Sequence, residues 1–210
     1  MGREVVTGYC WPQSASAGEQ VGLHMSSSGG RPVRIEVARV GGHREVVFRA
    51  PAVAADEHET PGDAAAQGCG WPVALTLDVD PAWRSGYYEV VMEIDVGEKV
   101  RRDRAFFVVR PPAGTRIVLA LATNTWHAYN DFGGRNLYMG ATSVSLQRPL
   151  SPGYLVIQTV VDAGEPLGTI SGPTEIVPFP ARITISNELQ NGMNQFARLT
   201  SKAINSAADY

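Results

Sequence analysis

The side chains best suited to chemistry are concentrated in one stretch of the sequence, between Thr123 and Tyr154. This stretch carries hydrogen-bond donors and acceptors of several kinds: Trp126, His127, Tyr129, Asn130, Asp131, Arg135, Asn136, Tyr138, Gln147, Arg148 and Tyr154. Glycines at 133, 134 and 140 interrupt it. A polar, glycine-containing loop on a rigid support is typical of a binding or catalytic surface. A well-bonded surface loop explains the same composition, so this pattern leaves both interpretations open.

The segment just before this stretch predicts where the loop lies. Residues 117–122 read IVLALA and are apolar without a break. Such a run is expected of a strand buried on both faces of a parallel sheet. Ligands of open α/β sheets bind outside the carboxyl ends of the strands. The sequence therefore predicts a loop from Thr123 to Gly140 at a ligand-binding edge.

The first half of the chain has a different pattern. Apolar and polar residues alternate in short segments separated by turns, as in half-buried strands. The predicted strands are 21–25, 33–37, 46–48, 73–79, 88–95 and 100–110, with 33–37 and 46–48 forming a hairpin. Residues 51–70 lack periodicity and are predicted to form a long, mobile surface loop. Residues 1–110 are therefore predicted to be an immunoglobulin-like antiparallel β-sandwich.

A proline-rich linker at 111–114 leads into residues 111–210, predicted as a partial α/β domain with a divergent C-terminal tail. Residues 155–161 are predicted to form a strand, and Ser186 is predicted to cap a terminal helix. A doubly wound domain needs several βα units of about 30 residues each. Because too few such units follow residue 116, the α/β domain is expected to be truncated after its start.

Bulk properties exclude some classes of function. The formal net charge of −3 gives no basic field, so nucleic-acid binding is not expected. No apolar run approaches the roughly 18 residues needed to span a membrane. We therefore expect a soluble cytoplasmic protein, in which Cys10 and Cys69 are buried free thiols rather than a disulfide.

Two blocks of the sequence resemble a known family. Residues 122–138, ATNTWHAYNDFGGRNLY, and 145–154, SLQRPLSPGY, are similar to the start of the catalytic domain of the N,N-dimethylformamidase large (beta) subunit and its shorter relatives. Residues 8–14, GYCWPQS, and 86–88 are similar to the sandwich that precedes it. The resemblance covers roughly residues 5–155.

The resemblance implies a fold and a metal. The family's catalytic domain is similar to class I glutamine amidotransferases and uses mononuclear iron (Fe3+), held by two tyrosinates and one glutamate. By position in the motif, Tyr129 and Tyr138 are the two metal ligands. His127, Asn130 and Asp131 are candidates for orienting them. The third carboxylate ligand is not identified, because the three downstream glutamates (Glu165, Glu175 and Glu188) lie in no matching context.

The implied activity is hydrolysis of small linear amides of the N-substituted formamide type. Phenolate is a hard anionic oxygen donor that suits ferric iron, and the metal would act as a Lewis acid on the amide carbonyl. The family also implies self-association or a small partner subunit.

Three alternatives remain at this stage. Tyr129 and Tyr138 could be packing tyrosines at a domain edge. The chain could be a non-catalytic binding or assembly module, or an inactive truncated paralogue. A carbohydrate-binding sandwich is a weaker alternative, because the strands carry no aromatic stripe.

Overall fold

The structure, a computed structural model, describes residues 5–41, 43–113, 121, 123–151, 157–160 and 182–185. Eight strands in the first half form two sheets: β1 (Val6–Trp11), β2 (Ser14–Ala15), β3 (Gln20–Ser27), β4 (Val33–Val40), β5 (Arg44–Val53), β6 (Val73–Asp78), β7 (Gly86–Val96) and β8 (Lys99–Val109). One sheet has the order β1-β3-β6, and the other has the order β2-β8-β7-β4-β5. All pairs are antiparallel except β2 with β8.

The predicted alternation of apolar residues becomes the core between the two sheets. On β7, Tyr88, Val90, Met92 and Ile94 are fully buried and share one face of the strand. They pack in one cluster with inward residues of both sheets, among them Leu23 and Phe107. The β-rich sandwich and the β4–β5 hairpin are thus confirmed. Cys10 and Cys69 are buried and free, as expected.

The outer face of the larger sheet is divided between two kinds of surface. At one end, Tyr87 and Phe106 pack against each other and against Trp126 from the segment after the sandwich. The rest of this face carries a ladder of ion pairs: Arg34–Glu93, Arg34–Asp95, Arg44–Glu36, Arg44–Glu89, Arg49–Glu36, Arg102–Glu93 and Arg104–Glu89. The segment after the sandwich, through Trp126, therefore covers the apolar end of this sheet face.

The prediction of a long surface loop at 51–70 is wrong at both ends of the segment, whereas residues 54–63 form a mostly exposed loop. The strand β5 continues to Val53, and a short helix, α1 (Ala64–Gln67), follows. Ala64, Ala65 and Cys69 are buried. Composition misled the prediction because these small residues are buried against residues 130–147, which lie far away in the sequence.

The prediction that 123–140 is a loop is wrong for its first part, since Thr123–Tyr129 forms a helix, α2. Of the α/β half, the apolar run 117–122 lies outside the described residues except for Leu121, and the predicted terminal helix from Ser186 lies wholly outside. The strand predicted at 155–161 is present as β9 (Ile157–Val160). It pairs antiparallel with β10 (Arg182–Ile185). No helix in the described part of the chain is long and apolar enough to cross a membrane.

Candidate functional site

The two tyrosines identified in the sequence lie face to face. Tyr129 is the last residue of α2, and Tyr138 lies in a single 3-10 turn, Leu137–Met139. Their ring centroids are 4.1 Å apart and the rings are nearly parallel, at 16°. A hydrogen bond between the two side chains is the main cause that raises the pKa of Tyr129 above its ordinary value. The two phenol oxygens therefore lie together.

The pair is open to solvent on one side. Tyr138 is 67% exposed, and its neighbours Leu137 and Met139 are also exposed. Exposed apolar side chains beside two adjacent phenols leave room for a small molecule to approach. Tyrosines that pack at a domain edge would also leave one ring exposed, so the exposure of Tyr138 fits that alternative as well as a metal site.

Asn136 holds the backbone of both tyrosines. It is buried, and its Nδ2 donates to the Tyr129 carbonyl at 3.1 Å. Its Oδ1 accepts from the backbone N–H of Tyr138 at 2.9 Å and of Met139 at 3.0 Å. The asparagine thus caps the 3-10 turn and ties it to the end of α2.

Arg148 holds several parts of the segment 123–151 together. It is only 1% exposed, and its guanidinium donates to five backbone carbonyls of this segment. The acceptors are the carbonyls of Ser145, Phe132, Arg135, His127 and Asn130. Two of these, His127 and Asn130, belong to the end of α2, where a cation also interacts favourably with the helix dipole. This explains why a seven-residue helix forms here.

His127 faces the sandwich. It is 1% exposed, and its Nε2 is 2.8 Å from Nε2 of Gln13, which follows β1. Because the glutamine amide nitrogen can only donate, His127 Nε2 is the acceptor and the ring proton sits on Nδ1. Burial, together with the Arg148 charge, lowers the pKa of His127 to about 4. The imidazole is therefore neutral at physiological pH.

A cavity of about 10 Å³ lies beside His127, between Gln13, Cys10 and Arg148. This volume is enough for about one water molecule. His127 Nδ1 is buried without a hydrogen-bond partner among the described residues. A water there would satisfy it, whereas an amide substrate would not fit.

Asn130 and Asp131 bind the chain that returns after Arg148. Asn130 is fully buried; its Nδ2 donates to the Pro149 carbonyl at 2.8 Å, and its Oδ1 accepts from the N–H of Ser151 at 2.9 Å. Asp131 accepts from the Ser151 hydroxyl. The role assigned to these residues and to His127, orienting the metal ligands, stays a prediction.

The segment 61–72 braces the candidate site from the other side. The N–H of Ser145 donates to the Ala65 carbonyl at 2.8 Å, and the N–H of Cys69 donates to the Gln147 carbonyl at 2.9 Å. Trp71 meets Phe132 edge to face at 6.2 Å. The candidate site is therefore part of the folded body of the molecule, supported by α1 and by the sandwich.

Metal binding by other ligands has no support in the described residues. Within these residues, no group of three or more His, Cys, Asp or Glu side chains could hold a metal ion. Tyr129 and Tyr138 are two hard oxygen donors whose rings are stacked there. Their role as ligands of a ferric iron stays a prediction, and no carboxylate for a third position is identified.

Sequence reasoning assigned no role to Asn136, Arg148 or Gln13. Asn136 had a usable signal, since an asparagine directly before a short turn that is followed by Gly140 favours an Asx-capped turn. Arg148 had none, because its acceptors are backbone carbonyls, which every residue possesses.

One comparison with known protein families gives a match. The family model described as N,N-dimethylformamidase beta subunit-like, C-terminal, matches residues 34–165. The match includes the later strands of the sandwich, the segment 61–72 and both tyrosines. No curated protein matches the chain.

Proposed function

Because this chain belongs to the N,N-dimethylformamidase beta subunit-like family, we propose that it acts in the iron-dependent hydrolysis of small amides of the N-substituted formamide type. In this reaction water adds to the amide carbonyl and the C–N bond breaks. For N,N-dimethylformamide the products are formate and dimethylamine.

The stacked pair of Tyr129 and Tyr138 carries the proposal. Their ring centroids are 4.1 Å apart, and the Tyr138 side chain raises the pKa of Tyr129 above its ordinary value. Two phenols this close cannot easily both ionise in the absence of a cation, because the two negative charges would repel each other. A bound cation reverses this preference and favours both phenolates. The pair is thus arranged to bind a positive ion.

The chain's own residues would hold the metal through the two phenolate oxygens. Iron bound there would act as a Lewis acid on the substrate carbonyl. Asn136 hydrogen-bonds to the backbone of both ligands, Arg148 binds the carbonyls of His127 and Asn130 on either side of Tyr129, and the neutral His127 stays buried in α2. The exposed face of Tyr138, with Met139 beside it, is where a small amide would approach. A third ligand is part of the proposal but is not assigned to a residue.

Iron retention by the full chain tests the proposal. We expect the purified protein, loaded with iron and desalted, to keep iron and to show a tyrosinate-to-iron charge-transfer band. Tyr129→Phe removes a ligand oxygen and should lower iron retention at least about tenfold, since even groups that only orient ligands have effects of about that size. Hydrolysis of N,N-dimethylformamide should follow the iron content.

Tyr87→Phe is the matched control. The Tyr87 hydroxyl is buried without a hydrogen-bond partner in the part of the chain that the structure describes, so its removal should leave iron retention unchanged. Wild-type protein that keeps no more iron than Tyr129→Phe would contradict the proposal. The protein would then have to be considered a binding module.

A further inference from the structure

We propose that Asn136 is a positioning residue that holds Tyr129 and Tyr138 at ligand distance by hydrogen bonding to the backbone of both. The inference rests on the proposed function for its meaning, although the geometry can be tested without any metal. The residue touches neither ring, and it acts through the backbone from which each ring projects.

The two tyrosines come from separate pieces of structure. Tyr129 ends α2, whereas Tyr138 belongs to the 3-10 turn, and Gly133 and Gly134 lie between them with positive φ angles of 84° and 86°. A connection with two such glycines gives little conformational restriction of its own. Something else must therefore fix the distance between the two pieces.

Asn136 does so with one planar amide. Its Nδ2 donates to the Tyr129 carbonyl, while its Oδ1 accepts from the N–H groups of Tyr138 and Met139. The amide group is rigid, so the Tyr129 carbonyl and the Tyr138 nitrogen are held on opposite sides of a single small group. Because Asn136 is only 7% exposed, water competes poorly for these hydrogen bonds.

Arg148 helps but does not duplicate this role. It binds carbonyls at 127, 130, 132 and 135 before the 3-10 turn and at 145 after it, and none of these belongs to Tyr129 or Tyr138. Among the hydrogen bonds of the described residues, those of the Asn136 side chain join Tyr129 directly to Tyr138. A change at this residue should therefore separate the tyrosines without dismantling the segment.

The isosteric variant Asn136→Asp gives the sharpest test. A carboxylate keeps the oxygen that caps the 3-10 turn, loses the donor to Tyr129 and places a negative charge against its carbonyl. The control is Asn124→Asp, the same change at an exposed residue of α2. It adds the same charge to the segment, whereas the side-chain hydrogen bonds that join Tyr129 to Tyr138 come from Asn136.

Photo-oxidative tyrosine cross-linking of the metal-free full chain reads out the distance. A ruthenium photosensitiser with persulfate removes one electron and one proton from each ring, and a carbon–carbon bond then joins the two rings. Trypsin cleavage after Arg135 puts Tyr129 and Tyr138 on separate peptides, so mass spectrometry identifies their cross-link. We expect the yield to fall about tenfold in Asn136→Asp, the effect of one buried hydrogen bond lost, and to stay near wild type in Asn124→Asp.

The outcomes separate this inference from the proposed function. An undiminished cross-link in Asn136→Asp overturns the positioning role, whatever the iron content. A cross-link lost in Asn136→Asp, together with a wild-type chain that binds no iron, supports the positioning role and contradicts the proposed function. Should circular dichroism show that Asn136→Asp is unfolded, Asn136→Ser carries the same test, because its hydroxyl can cap the turn but is too short to reach Tyr129. An equal loss in Asn124→Asp would also overturn the proposal.

Discussion

At the scale of single residues, the candidate site depends on side chains that bind backbone. Arg148 and Asn136 each satisfy backbone groups that would otherwise be buried without partners, which costs about 1–3 kcal/mol for each group. The tyrosines that carry the proposed chemistry contribute little of this support themselves. The positions of the two tyrosines thus depend on Arg148 and Asn136, which have no part in the proposed reaction.

Arg148→Lys is expected to lower the free energy of unfolding by about 2–4 kcal/mol. Lysine keeps the charge, but its single ammonium cannot present a planar fork to carbonyls at 127, 130, 132, 135 and 145. Several acceptors are then left without donors. Urea denaturation followed by circular dichroism measures the change.

Arg49→Lys serves as the comparison for this measurement. The Arg49 side chain is 69% exposed and forms a surface ion pair with Glu36, and such pairs contribute about 0–1 kcal/mol. A small effect is therefore expected. Equal losses in the two variants would show that the five carbonyls do not depend on the guanidinium.

At the scale of elements, the close approach of α1 and the candidate site depends on glycine. Gly133 has a φ of 84°, and a Cβ there would lie 3.0 Å from the Ala65 nitrogen. Gly134 has a nearly equal φ of 86°, but a Cβ there would meet nothing within 4 Å. Substitution of either glycine therefore has about the same conformational cost, but only at Gly133 would the added Cβ also contact α1.

Gly133→Ala is therefore expected to open the contact between α1 and the site, whereas Gly134→Ala is not. Both should lose about 1–2 kcal/mol from the positive φ. Hydrogen exchange separates them, because the N–H of Ser145 and the N–H of Cys69 form the bonds between the two pieces. Faster exchange at both amides in Gly133→Ala alone supports the bracing role, and equal exchange in both variants argues against it.

The sequence predicted six of the eight strands of the sandwich, β3 to β8, and identified Tyr129 and Tyr138 as candidates, but it did not predict the segments that hold these tyrosines in place. Alternation at positions such as Val90 and Met92 reports burial directly, because side chains of a strand alternate between its two faces. The helix α2 and the buried segment around Ala65 gave no such signal. Their stability comes from contacts with residues far away in the sequence, such as Arg148 and Ser145, and local propensity does not encode these contacts.

At the scale of the whole molecule, the sandwich and the candidate site form a continuous set of contacts. Trp126 packs on Phe106 of β8, Gln13 binds His127, and α1 holds the return of the chain at Ser145. The site therefore rests on the sandwich at three places. Stability of the sandwich should consequently limit stability of the site, and their responses to pH should be coupled.

Two buried groups give the stability of the chain opposite pH dependences. Burial raises the pKa of Asp103, whose carboxylate accepts from Thr7 Oγ1 on β1 at 2.6 Å, to about 6 from its ordinary 3.8. Its contribution to stability is full below pH 3.8 and is lost as the pH rises through 6. Burial lowers the pKa of His127 from its ordinary 6.5 to about 4. Its contribution to the free energy of unfolding is therefore full above pH 6.5 and is lost as the pH falls through 4. Each effect amounts to about 3 kcal/mol, so the two compensate over this range.

Asp103→Asn removes one side of this compensation. The neutral amide no longer gains stability from protonation, so the His127 contribution is left unopposed. We expect the free energy of unfolding of the variant to fall by about 3 kcal/mol more than that of wild type between pH 6.5 and pH 4. Asp78→Asn, a change at an exposed carboxylate on β6, should give a profile parallel to wild type. Denaturant titrations at a series of pH values measure all three profiles. An Asp103→Asn profile parallel to that of wild type would mean that the Asp103 carboxyl is ionised throughout this range. The hydrogen bond from Thr7 would then outweigh the cost of burial.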